Sequence, residues 1–138
     1  MGKEKYLDQL KGLVNHAPYY ELLGMEVLGL KNGEATLRMP FRKELTHPYG
    51  MVHGGAIASL ADSAVAVALA SLVDPNVLIT TIEFKINFMA PVSEGSLIAR
   101  AKILHKGVRT AVGDVEVVSE DGTLVAKMVA TYSILKVT

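Results

Sequence analysis

The sequence predicts an α+β domain in which one antiparallel sheet wraps around one long central helix. Residues 55 to 72 carry apolar side chains on every face, which is typical of a helix enclosed by the rest of a protein. Later segments alternate apolar and polar residues, as half-buried strands do. The 138 residues suit one domain, and no linker, repeat or low-complexity run divides them. We therefore interpret residues 1–138 as a single domain.

The first elements follow from helical spacing and from one turn signal. Leu7, Leu10 and Leu13 have the spacing of an amphipathic helix, predicted over residues 4 to 15 and ending before Pro18. Asn32-Gly33 separates two apolar-rich runs, which predicts a hairpin between strands near 25 to 31 and 34 to 39. The expected turn is type I′, which requires positive φ at both central residues.

The second half of the chain reads as four strands. After the loop from Pro40 to Gly50 and the central helix, period-two alternation runs from Val77 until Pro91 stops the strand. Two runs, about 97 to 105 and 110 to 119, flank a turn, and a last strand spans Thr123 to Val137. We interpret these four strands as a meander that curls round the central helix.

Composition and missing motifs narrow the functional classes. The chain has 14 basic and 14 acidic residues, so its charge indicates neither nucleic acid nor an anionic membrane as a partner. It has no cysteine and no apolar leader pattern near its N-terminus, and we expect a cytoplasmic protein. Nucleophile-elbow, HExxH, phosphate-loop and dinucleotide motifs are absent, so no cofactor is expected. The four histidines are too widely spaced to favour a local metal site.

Asp62 is the one residue of the central segment that a fold does not require. It carries the single formal charge between Leu45 and Val73, and an ionised carboxylate removed from water costs several kcal/mol unless it is paired. Gly54 and Gly55 open the same helix, where free N–H groups can stabilise an oxyanion while a carboxylate activates water or attacks. The alternatives are a structural hydrogen bond for Asp62 and simple close packing for the glycines.

These residues also carry a family resemblance. "GMVHGG" followed by "LADSA", before a strand ending "NFMAP", resembles the PaaI-like group of hotdog-fold acyl-CoA thioesterases over nearly the whole chain. The resemblance implies a hotdog fold and an acyl-CoA substrate. It places the catalytic carboxylate at Asp62, the carbonyl-polarising N–H at Gly54 and the motif histidine at His53. It places a water-holding hydroxyl at Thr81, with Thr80 as the alternative.

One position departs from the family pattern, and one pair is weakly specified. His47 stands where relatives usually carry Asn or Gln. We expect its ring to form the hydrogen bond to the thioester side of the substrate that the amide forms in relatives. The alternative is a water-exposed loop residue before Pro48. Lys106 and Arg109 are the candidates for the coenzyme A phosphates, because relatives bind the nucleotide near this hairpin. A solvated turn would account for them equally well.

Two rival functions and one assembly prediction complete the sequence reading. Hotdog dehydratases or hydratases among the relatives pair a histidine with a carboxylate, often as an Asp followed five residues later by His, and this chain has Val67 at that later position. A non-catalytic acyl-CoA-binding module would have no need of Asp62. Gly54 and Asp62 are eight residues apart, hence about 12 Å along a helix, so one chain cannot easily bring both to one carbonyl. Together with the resemblance, this distance predicts a homodimer, or a dimer of dimers, with sites shared between chains.

Overall fold

The structure is a computed structural model that describes residues 2–137. None of the helices described is long and apolar enough to span a membrane. The elements, in chain order, are α1 Gly2–Asn15, α2 Pro18–Leu23, β1 Glu26–Lys31, β2 Glu34–Pro40, α3 Gly54–Ala70, β3 Val77–Phe88, β4 Ser96–Lys106, β5 Thr110–Val118 and β6 Leu124–Lys136, with a short 3-10 turn at Lys43–Leu45.

The sheet and the central helix confirm the predicted hotdog architecture. Six antiparallel strands lie in the order β1-β2-β4-β5-β6-β3, and α3 packs against the sheet. The core lies between them and includes Leu60, Val65 and Leu69 of α3. The helix is less enclosed than its composition predicted, because a stripe including Ala58, Asp62, Ala66 and Ala70 is only half-buried.

The predicted four-strand meander is wrong at its first strand. β4, β5 and β6 do form a meander, but β3 pairs with β6 and not with β4. The place beside β4 is occupied by β2, which pairs with it from Glu34 to Pro40. β3 therefore forms one edge of the sheet, with one side of its backbone unpaired within the described chain.

The N-terminal hairpin lies where it was predicted, but its turn differs. Gly33 has φ of 80°, whereas no non-glycine residue in the described part of the chain has positive φ, so the turn at Asn32-Gly33 is not type I′. The turn is fixed by a tertiary contact, because the Gly33 N–H donates to Ser71 Oγ over 2.8 Å. Ser71 Oγ in turn donates to the Ala68 carbonyl, 2.6 Å away, which ties the hairpin to the end of α3.

A second short helix was missed. Pro18 was interpreted as a stop signal, but it begins α2, where a residue without an N–H leaves no helical hydrogen bond unmade. α2 lies against the central helix, and the hydroxyl groups of Tyr19 and Ser59 are 2.7 Å apart. α1 covers the other end of α3, where the Tyr6 hydroxyl donates to the carbonyls of Ala70 and Val73, each 3.1 Å away.

Candidate active site

The N-terminus of α3 presents one free backbone donor. His53 is the N-cap, and its Nδ1 accepts a hydrogen bond from the Gly55 N–H over 2.7 Å. The His53 carbonyl accepts from the N–H groups of Ala56 and Ile57, over 2.9 and 3.2 Å. Within residues 2–137, the Gly54 N–H has no acceptor. The sequence predicted uncovered donors from both glycines, but capping by His53 leaves the one at Gly54.

The hydrogen bond to His53 also determines which ring nitrogen carries the proton in the neutral imidazole. Because Nδ1 accepts a hydrogen bond from the Gly55 N–H, the neutral ring carries its own proton on Nε2. The imidazole is exposed and lies directly before the helix. His53 is thus placed to hold the first turn of α3 and the orientation of the Gly54 N–H.

An open cleft of about 400 Å³ lies beside this donor, lined by residues including His47, Gly54, Ile57 and Phe88. A Cβ added at Gly54 would lie 3.2 Å from Phe88 Cζ, so glycine permits the aromatic ring to approach the helix N-terminus. Phe88 was recognised in the sequence only as a strand residue, since alternation says nothing about which helix end the strand passes.

His47 lies in the same cleft and is half-buried. Its Nδ1 accepts the Tyr49 N–H over 3.1 Å, which leaves Nε2 as the donor of the neutral ring. The ring centroids of His47 and His53 are 6.5 Å apart. The structure therefore gathers His47, His53 and Gly54 into one group at the start of α3.

Asp62 and Thr81 form a second group farther along the helix. Thr81 Oγ1 lies 3.0 Å from Asp62 Oδ1 and 3.1 Å from Oδ2, and it donates to the carboxylate. The pairing of β3 with β6 shifts register between Thr81 and Glu83, which makes Ile82 an extra, bulged residue. The bulge places Thr81 and Phe84 on the same, helix-facing side, although simple alternation had put them on opposite sides.

Tyr132 of β6 completes this group, and sequence reasoning missed it. The side chain is buried, and its hydroxyl lies 2.7 Å from the main-chain carbonyl of Asp62 and within hydrogen-bond distance of Oδ1. Burial, and then the hydrogen bond to Asp62, raise the pKa of Tyr132 well above its usual range. The available signal was a phenol at an inward position of the last alternating strand.

Tyr20 of α2 lies near the same carboxylate. Its ring is half-buried, and burial is the main cause that raises the pKa of Tyr20 above its usual value. The negative charge of Asp62 raises the pKa of Tyr20 further, whereas a hydrogen bond with Ser63 opposes the shift. Asp62 is therefore flanked by two phenols that keep their protons.

The two groups are separate within one chain. Gly54 and Asp62 both belong to α3, and eight residues of helix separate them by about 12 Å. Lys106 and Arg109 lie at the turn between β4 and β5, and both side chains are exposed. Among the described residues, neither forms an ion pair or a side-chain hydrogen bond with the two groups.

Comparison with known proteins identifies the family that this chain resembles. A family model described as "Thioesterase superfamily" matches residues 49–126. A putative esterase of Saccharolobus solfataricus is 32% identical over 117 residues, covering 85% of this chain and 83% of the relative. The acyl-coenzyme A thioesterase PaaI of Escherichia coli is 30% identical over 105 residues, covering 75% and 73% of the two chains. The solved structure of a thioesterase family protein from Silicibacter pomeroyi superposes with a TM-score of 0.88 at 29% identity, over 96% of this chain and 99% of that one.

Proposed function

Because the chain belongs to the thioesterase superfamily, we propose that its substrate is an acyl-CoA or aryl-CoA thioester. The observation that carries the proposal is the free N–H of Gly54, which opens into a cleft at the N-terminus of the helix that also bears Asp62. The name of the Escherichia coli relative supports coenzyme A as the thiol part of the substrate.

In the proposed reaction, each group has one role. The thioester carbonyl oxygen accepts the Gly54 N–H, and the positive end of the helix dipole stabilises the negative charge that develops there. Asp62 either removes a proton from the attacking water or attacks the carbonyl carbon itself. The carbon–sulfur bond breaks, coenzyme A leaves as the thiol, and the acyl group leaves as the free acid after the addition of one water.

The remaining predicted residues assist these two. Thr81 Oγ1 is proposed to hold the water beside Asp62, and its hydrogen bond to the carboxylate supports this role. His47 Nε2 is proposed to donate to the thioester side of the substrate, the position that relatives give to Asn or Gln. Lys106 and Arg109, exposed at the β4–β5 turn, are proposed to bind the coenzyme A phosphates.

The proposed enzyme works as a homodimer, because one chain separates the donor from the acid. β3 is an edge strand of 12 residues with half-exposed apolar side chains, including Leu78, Ile82 and Phe88. An edge of this kind is a natural place for a second copy of the same chain to pair about a twofold axis. Such pairing would bring Gly54 of one chain towards Asp62 of the other and would form two equal sites.

The experiment is thiol release from a panel of aryl-CoA and fatty acyl-CoA thioesters. We expect release by the wild-type chain and its loss in Asp62→Asn. Tight binding of the same compounds without any release would contradict hydrolysis and favour a binding module.

A second experiment tests the shared site. Asp62→Ala and Gly54→Val chains, each expected to be inactive alone, are unfolded and refolded together. Each heterodimer then holds one intact site, so random pairing restores about a quarter of wild-type activity. Zero recovery with heterodimers present would place both groups in one subunit.

A further inference from the structure

The two carboxylate oxygens of Asp62 have different surroundings. Oδ1 contacts both the Tyr132 hydroxyl and Thr81 Oγ1, whereas Oδ2 contacts only Thr81 Oγ1, at 3.1 Å, within the described part of the chain. Resting on the thioesterase function proposed above, we propose that Tyr132 is a positioning residue that holds Asp62 by Oδ1 and leaves Oδ2 as the reacting oxygen.

The hydroxyl of Tyr132 is placed to restrict the rotation of the Asp62 side chain. It lies 2.7 Å from the main-chain carbonyl of Asp62 and within hydrogen-bond distance of Oδ1 of the same residue. The phenol of Tyr132 has one hydroxyl proton to donate, and both acceptors within its reach, the main-chain carbonyl and Oδ1, belong to Asp62. The hydroxyl therefore ties the carboxylate to its own backbone, and rotation about the Asp62 side-chain bonds would break the contact.

Burial makes this anchor rigid and keeps it protonated. Tyr132 is 3% exposed, and its ring packs in the core between the sheet and α3. Burial and the neighbouring carboxylate raise the pKa of Tyr132, so the phenol keeps its proton and remains a hydrogen-bond donor. Thr81 is exposed, and its single hydroxyl is nearly equidistant from both oxygens, so it does not by itself select one of them.

The test compares Tyr132→Phe with Tyr6→Phe. Both variants remove a tyrosine hydroxyl that bonds α3, but Tyr6 reaches only the carbonyls of Ala70 and Val73, far from the carboxylate. The Asp62 carboxyl is followed by carbon-13 NMR at neutral pH and is identified by the loss of its signal in Asp62→Asn. Tyr20, the other phenol near Asp62, is unchanged in every variant.

We expect the carbon-13 signal of the Asp62 carboxyl to change its chemical shift in Tyr132→Phe, because the carboxylate loses a hydrogen-bond donor. The value of kcat should fall about tenfold while KM is unchanged. Tyr6→Phe should change neither the signal nor kcat.

The NMR measurement needs no turnover, so the two proposals fail separately. An unmoved carbon-13 signal of the Asp62 carboxyl in folded Tyr132→Phe overturns the positioning role, even if the wild type is an active thioesterase. Absence of thiol release by the wild type overturns the thioesterase function, whatever the carbon-13 signal does. If Tyr132→Phe does not fold, the hydroxyl proton of Tyr132 is compared in wild type and Asp62→Asn. An upfield move in the variant supports the contact, and an unchanged signal overturns it.

Discussion

Replacing Asp62 by Asn should separate the role of this carboxylate in turnover from its role in folding. The amide is nearly the same size as the carboxylate, and its oxygen can still accept a hydrogen bond from the Tyr132 hydroxyl. The main-chain carbonyl of residue 62, which lies 2.7 Å from that hydroxyl, remains available as a second acceptor. Thr81 Oγ1 can accept from the new amide N–H in place of donating. No buried polar group is left without a partner, so we expect the stability to change by no more than about 1 kcal/mol.

Turnover should respond very differently. Loss of a catalytic base or nucleophile reduces kcat by at least about a hundredfold, which is about 2.7 kcal/mol of barrier. A change in stability of about 1 kcal/mol would move Tm by only about 4 °C in a domain of this size. The expected result is therefore a nearly unchanged melting curve together with a collapse of thiol release.

The assay is continuous measurement of released thiol, with thermal unfolding of the same preparations. Asp8→Asn is the matched control, because it makes the same substitution at an exposed carboxylate of α1. It should leave both quantities unchanged. A large fall in Tm for Asp62→Asn with activity retained would show that Asp62 is a structural hydrogen-bonding residue, and the reasoning above would be refuted.

Three further predictions concern the residues around Asp62 and Gly54. His53→Ala should lower the stability by about 1 kcal/mol and lower kcat as well, because the N-cap of α3 is lost. His53→Asn should restore the melting curve. A lower kcat in His53→Ala without any change in stability would refute the capping role. Thr81→Val should reduce kcat while Thr80→Val does not, measured by thiol release, since Thr81 is the hydroxyl bonded to Asp62; equal effects would contradict this. The double variant Lys106→Ala, Arg109→Ala should raise KM for acyl-CoA and leave unchanged the rate with a short thioester lacking the nucleotide, and an unchanged KM would remove both residues from the binding site.

Features with local signals were predictable from the sequence. The central helix, the hairpin at Asn32-Gly33 and the strands follow from composition, periodicity and turn residues that lie close together in the chain. The place of β3 in the sheet was not predictable in this way. Alternation shows that a strand is half-buried, but it does not say whether the strand pairs with β4 or β6, and the prediction chose the wrong neighbour.

Some residues of the candidate site could likewise be predicted from the sequence, and others could not. His53, Gly54 and Asp62 stand within one short stretch, so their common helix could be inferred directly. Tyr132 lies 70 residues after Asp62, and only the β3–β6–β5 pairing order brings its strand beneath that part of α3. The orientation of Thr81 depends on a bulge, which no alternating pattern of side chains can reveal, since a bulge is an exception to alternation.

Because of the bulge at Ile82, the number of residues in β3 determines which side chains reach the candidate site. The bulge changes the parity of the strand, so the residues before and after it can both face α3, with Thr81 at the carboxylate and Phe88 at the helix N-terminus. Deleting Ile82 itself would leave the partners of Thr81 and Glu83 unchanged, but deleting a residue from the regularly paired part of β3 would turn one half of the strand inside out, because side chains alternate with a period of two. A single-residue deletion at Lys85, for example, should therefore be far less tolerated over evolution than a substitution there, although the deletion would leave every site residue present in the chain.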